Sequence, residues 1–362
     1  MSSLELVALE KRWPGLTVRV DLEVGDGRLL ALAGPSGCGK STVLRLCSGL
    51  TEPDGGRVMV GGNDVTALGP ERRGIGMVFQ DYALFPHLTA RGNVEYGLST
   101  HGVRRRARKA AAMDLLDAVG IAALAGRRPH ELSGGERQRV ALARTLAIRP
   151  AVILFDEPLS SLDATLRTRL RADIRDHQRR FGLTAVYVTH DIGEALAIAD
   201  ETAVMQEGRI LQRSTPAELW SRPASAAVAR ILGSGPALRV TRVEPYDAGA
   251  LKATTAGGVF LVPRTGAPEG GPLRVFFERN AAALLPQGAP AAPGSFAVRC
   301  ERNDYLGDAV DCLVESGGER FLLRFPVGTA PPPGWEGRLS VAPGAAFLVP
   351  DDEVTAASPR IP

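Results

Sequence analysis

The sequence predicts an α/β unit that holds phosphate, followed by a smaller all-β unit. Three observations carry that expectation. A glycine loop, Gly34-Pro35-Ser36-Gly37-Cys38-Gly39-Lys40-Ser41-Thr42, sits between an apolar run and a helically spaced one. Two later apolar runs are followed by Asp156-Glu157 and by His190, as buried parallel strands present polar residues at a sheet edge. Beyond residue 235, short β-rich runs are divided by proline and glycine.

The loop from Gly34 to Ser41 fits G-x-x-x-x-G-K-[ST] without mismatch. Leu29 to Ala33 leads in as a buried strand. Val43, Leu44, Leu46 and Cys47 follow at helical spacing. Glycines let the backbone come close to a ligand, loop N–H groups converge on phosphate oxygens, and the helix start adds partial positive charge. Lys40 is placed to reach β- and γ-phosphates, and the Ser41 hydroxyl to meet Mg²⁺.

Ahead of the loop, Val18, Val20, Leu22 and Val24 alternate with Arg19, Asp21 and Glu23, the pattern of a half-buried strand. Trp13, beside Pro14-Gly15, reads either as core or as a loop indole able to stack on a base. Residues 55–62 read as a strand between turns, and 74–79 as a short buried strand ending at Gln80. Asp81 to His87 is a loop whose Tyr82, Leu84 and Phe85 look exposed. They suit either a groove for a partner's helix or packing on their own domain. From about 90 to 147 the pattern is helical. Its basic run, Arg104-Arg105-Arg106 with Arg108 and Lys109, reads as a solvated face. Leu132-Ser133-Gly134-Gly135-Glu136 opens a second helix whose N-terminus suits an anion. Ser160-Ser161-Leu162-Asp163 precedes a helix over 164–180.

Gly233-Ser234-Gly235-Pro236 reads as a linker, placing the domain boundary at 235/236. The runs after it predict a small all-β, OB-like barrel over 236–362. A length of 362 residues allows two domains. The net charge of +3 is too small to imply nucleic acid. Cys38, Cys47, Cys300 and Cys312 show neither metal spacing nor a disulfide framework, which points to a reducing compartment. The N-terminus has no signal-peptide pattern, and no apolar stretch reaches the ~20 residues that span a bilayer. A cytoplasmic location is therefore expected, with any membrane role exerted through a partner.

With Leu132 to Arg139 in view, the chain resembles the ATPase subunits of ATP-binding-cassette transporters over residues 1 to about 235. Six motifs stand in register: the phosphate loop Gly34 to Ser41, Gln80, the signature Leu132-Ser133-Gly134-Gly135, Asp156 with Glu157, Ser160 to Asp163, and His190. The resemblance implies a P-loop cassette, a mixed sheet with a helical subdomain at about 84–150. The β tail resembles the accessory (TOBE) domain of bacterial importer ATPases that serve metal, oxyanion, polyamine or sugar permeases. Tyr305-Leu306-Gly307 matches a recurrent element there, whereas Glu278-Arg279-Asn280 departs from the usual Arg-Pro-Glu.

The resemblance also implies roles. Glu157 is the expected general base, and His190 is expected at the γ-phosphate. Gln80 is expected to touch Mg²⁺ or the attacking water. ATP is expected to meet Trp13 at adenine and Gly34, Pro35, Ser36, Gly37, Cys38, Gly39, Lys40, Ser41 and Thr42 at the phosphates. Ser133, Gly134 and Gly135 cap it from a second copy, with Asp163 nearby. Mg²⁺ falls to Ser41, Gln80 and Asp156. Implied partners are a second copy arranged head to tail, a membrane permease and, indirectly, a solute-binding protein, with no nucleic acid. Ferric iron or polyamine is the expected cargo; molybdate, sulfate and sugar stay open. So does a regulatory reading in which the barrel senses a small oxyanion. A chromosome or repair ATPase fits less well, because no sustained heptad separates Lys40 from Ser133.

Overall fold

The computed structural model describes residues 2–160, 164–268, 271–342 and 344–352. The chain divides into two compact units, Met1–Pro216 and Ala217–Pro362.

The first unit opens with a hairpin, β1 (Leu4–Trp13) and β2 (Leu16–Val24). Val18, Val20, Leu22 and Val24 are buried while Arg19, Asp21 and Glu23 face out, as their alternation requires. Strand β3 (Leu29–Ala33) runs into the glycine loop, and α1 (Lys40–Ser48) leaves it. Strands β4 (Gly55–Val60) and β5 (Asn63–Asp64) complete an antiparallel sheet in the order β2-β1-β4-β5. Next come β6 (Ile75–Val78) and the helices α2 (Ala90–Thr100), α3 (Arg105–Ala118) and α4 (Gly134–Ala147). Then follow β7 (Val152–Asp156), α5 (Ala164–Phe181), β8 (Thr184–Thr189), α6 (Ile192–Ile198), β9 (Glu201–Gln206) and β10 (Arg209–Ser214).

The central sheet has the order β10-β9-β3-β8-β7-β6, parallel throughout except for β10. Its inner strands β3, β7 and β8 are almost wholly buried because both faces are covered. Ile153 and Phe155 of β7, with Ala185 and Tyr187 of β8, pack toward α2, α3, α4 and α5. Val152, Leu154, Val186 and Val188 pack the other way, toward α1 and the antiparallel sheet. Helix α1 is thus held between two sheets, and the loop that precedes it is clamped on both sides.

In the second unit, α7 (Pro216–Ser221) and α8 (Ala226–Leu232) precede the strands β11 (Ala237–Pro245), β12 (Ala250–Thr255), β13 (Gly258–Pro263), β14 (Leu273–Phe277), β15 (Ala282–Leu284), β16 (Ser295–Tyr305), β17 (Ala309–Ser316), β18 (Glu319–Pro326), β19 (Glu336–Val341) and β20 (Ala346–Pro350). The all-β character stands, but the described strands form one ten-stranded antiparallel network, more than a five-stranded OB barrel uses. Strand β11 gives it its bend: Ala237–Arg239 pair with β14, while Val240 and Arg242–Pro245 pair with β12. Phe260, Phe277 and Phe296 meet at 5.2–5.5 Å between ring centroids in its core.

The units part after Pro216, ahead of the 235/236 boundary that the Gly-Ser-Gly-Pro run suggests. Helix α8 buries Ala226 and Ala229 against Phe276 and Val349, so it belongs with the β unit. Gly235 is packed there and is no loose joint: a Cβ on it would lie 1.9 Å from the Phe277 carbonyl oxygen. At the departure Glu278-Arg279-Asn280, the Arg279 N–H donates to the Ser234 carbonyl at 2.9 Å. Its guanidinium stands 3.7 Å from Asp311, which Arg324 grips with two hydrogen bonds of 2.7 and 2.8 Å. Burial, and next the Arg324 charge, press the Arg279 pKa down. Tyr305 and Leu306 of the recurrent Tyr-Leu-Gly element are exposed where β16 turns into β17.

Candidate functional site

The glycine loop closes on itself. Lys40 is buried, and its Nζ donates to the carbonyls of Gly34 at 2.8 Å and Pro35 at 2.9 Å. Gly34 is required by close approach: a Cβ there would sit 2.0 Å from the Met205 carbonyl oxygen of β9. Gly39 caps α1 without a side-chain bond, so the first N–H groups of the helix stay available to an anion. Cys38 is buried inside the loop with Sγ 3.9 Å from Lys40 Nζ, and burial pushes its thiol up despite that ammonium.

Two strand ends bring acids to this loop. The Ser41 hydroxyl donates to Asp156 Oδ1 at 3.1 Å, at the end of β7. Burial holds the Asp156 carboxyl above the ordinary carboxylate range, against the Ser41 bond; the neighbouring Glu157 charge pushes the same way. A hydroxyl and a half-buried carboxylate in contact make an oxygen pair that a hard divalent cation fits. Glu157 follows in a left-handed backbone conformation, φ +44°, sparsely populated by non-glycine residues. Its N–H donates to the Val188 carbonyl at 3.0 Å, and its carbonyl accepts from Ser160 Oγ at 2.9 Å. Glu157 Oε2 lies 2.8 Å from His190 Nδ1. The histidine expected at a γ-phosphate is thus also the partner of the expected base.

Other residues stay apart. Gln80 is exposed just beyond β6. Ser133 caps α4 in a capping box: its N–H donates to Glu136 Oε2 at 2.7 Å, and its hydroxyl accepts from the Glu136 N–H at 3.4 Å. Both contacts are local; among the described residues neither reaches the glycine loop. Trp13 is 46% exposed at the hairpin tip, with Lys11 Nζ 5.5 Å from its ring centroid. The core alternative for this indole falls away. Asp163 lies outside the described residues.

The aromatic loop packs in part on its own domain, the second of its two readings. Tyr82 is buried, and its hydroxyl donates to the Pro158 carbonyl at 3.3 Å. Phe85 packs on Tyr96 at 4.6 Å, and Asn93 holds its backbone on both sides. Sequence reasoning also passed over Glu194. It is buried and accepts from the hydroxyls of Tyr187 and Thr189, bracing the strand end that presents His190. That contact raises the Tyr187 pKa beyond what burial alone does. Its sequence signal is an acid at the third position of a helix capped by Asp191.

Strand ends from one parallel sheet, gathered on a glycine loop, carry the chemistry of a P-loop nucleotide hydrolase. A family model described as ABC transporter matches residues 18–160. The Fe(3+) ions import ATP-binding protein FbpC of Brucella abortus (strain 2308) is 44% identical over 305 residues, 84% of this chain and 85% of that protein. The sn-glycerol-3-phosphate import ATP-binding protein UgpC 3 of Rhizobium etli is 44% identical over 265 residues, 73% of this chain and 74% of that protein. Among solved structures, cbiO1 from Clostridium perfringens, part of the ABC transporter complex cbiONQ, aligns with a TM-score of 0.56 at 27% identity, over 60% of this chain and 90% of that one. The chain belongs to the ABC transporter family, as an ATP-binding, ATP-hydrolysing subunit of an importer.

Proposed function

We propose that this subunit powers ferric iron import through a membrane permease, as a head-to-tail homodimer that closes on two ATP molecules. The observation that carries the dimer is the divided phosphate site. Lys40 and the α1 N-terminus form one half, while Ser133 and the α4 N-terminus face outward with only local bonds. Support for iron comes from the Brucella relative, an Fe(3+) ions import ATP-binding protein matched over 84% of this chain. Among the described residues no helix is long and apolar enough to cross a membrane, so the permease supplies the path. The expected location is the cytoplasmic membrane face. The test is co-purification with the neighbouring permease and ATPase assays with each cargo. Stimulation by ferric iron with its binding protein supports the reading. Stimulation by polyamine, molybdate, sulfate, sugar or glycerol phosphate instead overturns it.

Ser41 and Asp156 would hold Mg²⁺, with Gln80 as the third proposed ligand; bound there, it would neutralise charge on the transferring phosphoryl group. Lys40 exchanges its loop carbonyls for β/γ oxygens. Glu157 takes the proton of the attacking water, and His190 Nδ1 holds that carboxylate in place. Trp13 offers a face for adenine.

Asp156 gives a pH-dependent prediction. Its folded pKa is raised, so its favourable, protonated state is fully present below the unfolded value and is lost as pH rises through the folded value. Asp156→Asn is neutral at every pH. Nucleotide-free Asp156→Asn should therefore melt above the parent at pH 7.5, with the gap closing toward pH 4, while Mg²⁺-dependent ATPase is lost. Equal melting temperatures at pH 7.5, by calorimetry, would contradict the buried-charge account.

A second reading has its own observation. A half-open cavity of about 470 Å³ in the β unit is lined by Arg230, Arg274, Arg279 and Arg320; Arg274 pairs with Glu319 and Asp351, and Arg279 stands 3.7 Å from Asp311. Guanidinium groups suit oxyanions. Calorimetry of the full chain with molybdate, phosphate and sulfate tests a regulatory anion; heat and a defined stoichiometry would support it, and no heat would remove it.

A further inference from the structure

We propose that Arg144 and Tyr82 are positioning residues that tie the signature helix to the turn carrying Glu157. The observation is a continuous set of contacts across three elements. Arg144 lies on α4, 11 positions after its cap Ser133 (144 − 133), about three helical turns along. Its guanidinium forks onto the loop after Gln80: Nη2 donates to the Tyr82 carbonyl at 2.9 Å and Nη1 to the Ala83 carbonyl at 2.5 Å. The same group lies 5.8 Å from the Phe85 ring centroid. Tyr82 then passes the link on, its hydroxyl donating to the carbonyl of Pro158. Pro158 directly follows Glu157, whose own backbone is held at φ +44°.

Tyr82 and Ala83 also adopt left-handed backbone, φ +62° and +45°. Non-glycine residues keep such conformations only when surrounding bonds fix them. The Arg144 fork supplies two of those bonds, and Asn93 clamps the next turn at Phe85 from α2. A planar guanidinium is needed for two carbonyls at once; a lysine ammonium on a flexible stem cannot reproduce the fork. The geometry gives the loop a mechanical role. When Ser133 engages nucleotide, any shift of α4 pulls the backbone beside Gln80 and, through the Tyr82 hydroxyl, the turn that aims Glu157. Base and signature are then set together.

This inference rests on the divided-site reading above, and the experiment separates the two. Arg144→Lys, Tyr82→Phe and the double variant are made in the full chain. For each, kcat, ATP affinity, melting temperature and ATP-driven dimerisation in the Glu157→Gln background are measured. Each single variant should lose roughly tenfold in kcat, within the range that small misplacement of reacting groups produces. ATP affinity and dimerisation should stay at parental values, with only a small fall in melting temperature. The double variant should be no worse than the poorer single one, because both cut the same line of contacts. Parental kcat in Tyr82→Phe overturns the proposal. So do multiplied losses in the double variant, or a fall in ATP affinity that matches the fall in kcat. Tyr82→Phe alone decides the matter if Arg144→Lys folds poorly. Absence of ATP-driven dimerisation in Glu157→Gln itself would instead overturn the divided-site reading.

Discussion

Glu157→Gln is expected to bind ATP with parental affinity, accumulate as an ATP-bound dimer and hydrolyse about 10²–10⁴-fold more slowly, the usual contribution of a positioned general base. Glutamine keeps the size of the side chain and an oxygen that can accept from His190 Nδ1, 2.8 Å away. It keeps the backbone bonds to Val188 and Ser160 as well. It cannot take a proton from water. Single-turnover hydrolysis with the nucleotide prebound checks this directly. Near-parental turnover would remove Glu157 as the base and leave its bond to His190 as a structural brace.

Lys40→Ala carries the second large effect, on binding. The parent ammonium already has two carbonyl acceptors, Gly34 and Pro35, so the loop is organised before nucleotide arrives. Phosphate oxygens take over that ammonium, and charge-assisted hydrogen bonds are worth about 1.5–3 kcal/mol. That corresponds to roughly 10- to 150-fold in affinity. Titration with a fluorescent ATP analogue reads the affinity; an unchanged Kd would contradict the cradle.

Most of the sheet was legible because its signal is local. Val152-Ile153-Leu154-Phe155 is apolar at every position, which only a strand covered on both faces explains, and its side chains do divide between two cores. The glycine loop was legible for a similar reason: Lys40 bonds Gly34 and Pro35 within the same loop. Contacts between distant elements were not. Arg144 reads like Arg137 or Arg139, one more basic residue on a helix, until the fold sets it against Tyr82 and Ala83. Tyr82 looked like an exposed loop aromatic, since nothing nearby in sequence reveals the Pro158 carbonyl that receives its hydroxyl. Gly233 to Pro236 has the composition of a linker, but Gly235 is there for close packing against Phe277.

The central claim is that each nucleotide is held by two copies of the chain, Lys40 from one and Ser133 from the other. Sedimentation of Glu157→Gln with Mg²⁺ and ATP, beside Glu157→Gln carrying Ser133→Arg, tests it most directly. The first should sediment as a dimer that reverts when ATP is removed. The second should remain monomeric while each monomer still binds ATP, more weakly than the dimer does. A dimer that survives Ser133→Arg would contradict the account, as would loss of ATP binding by the monomer.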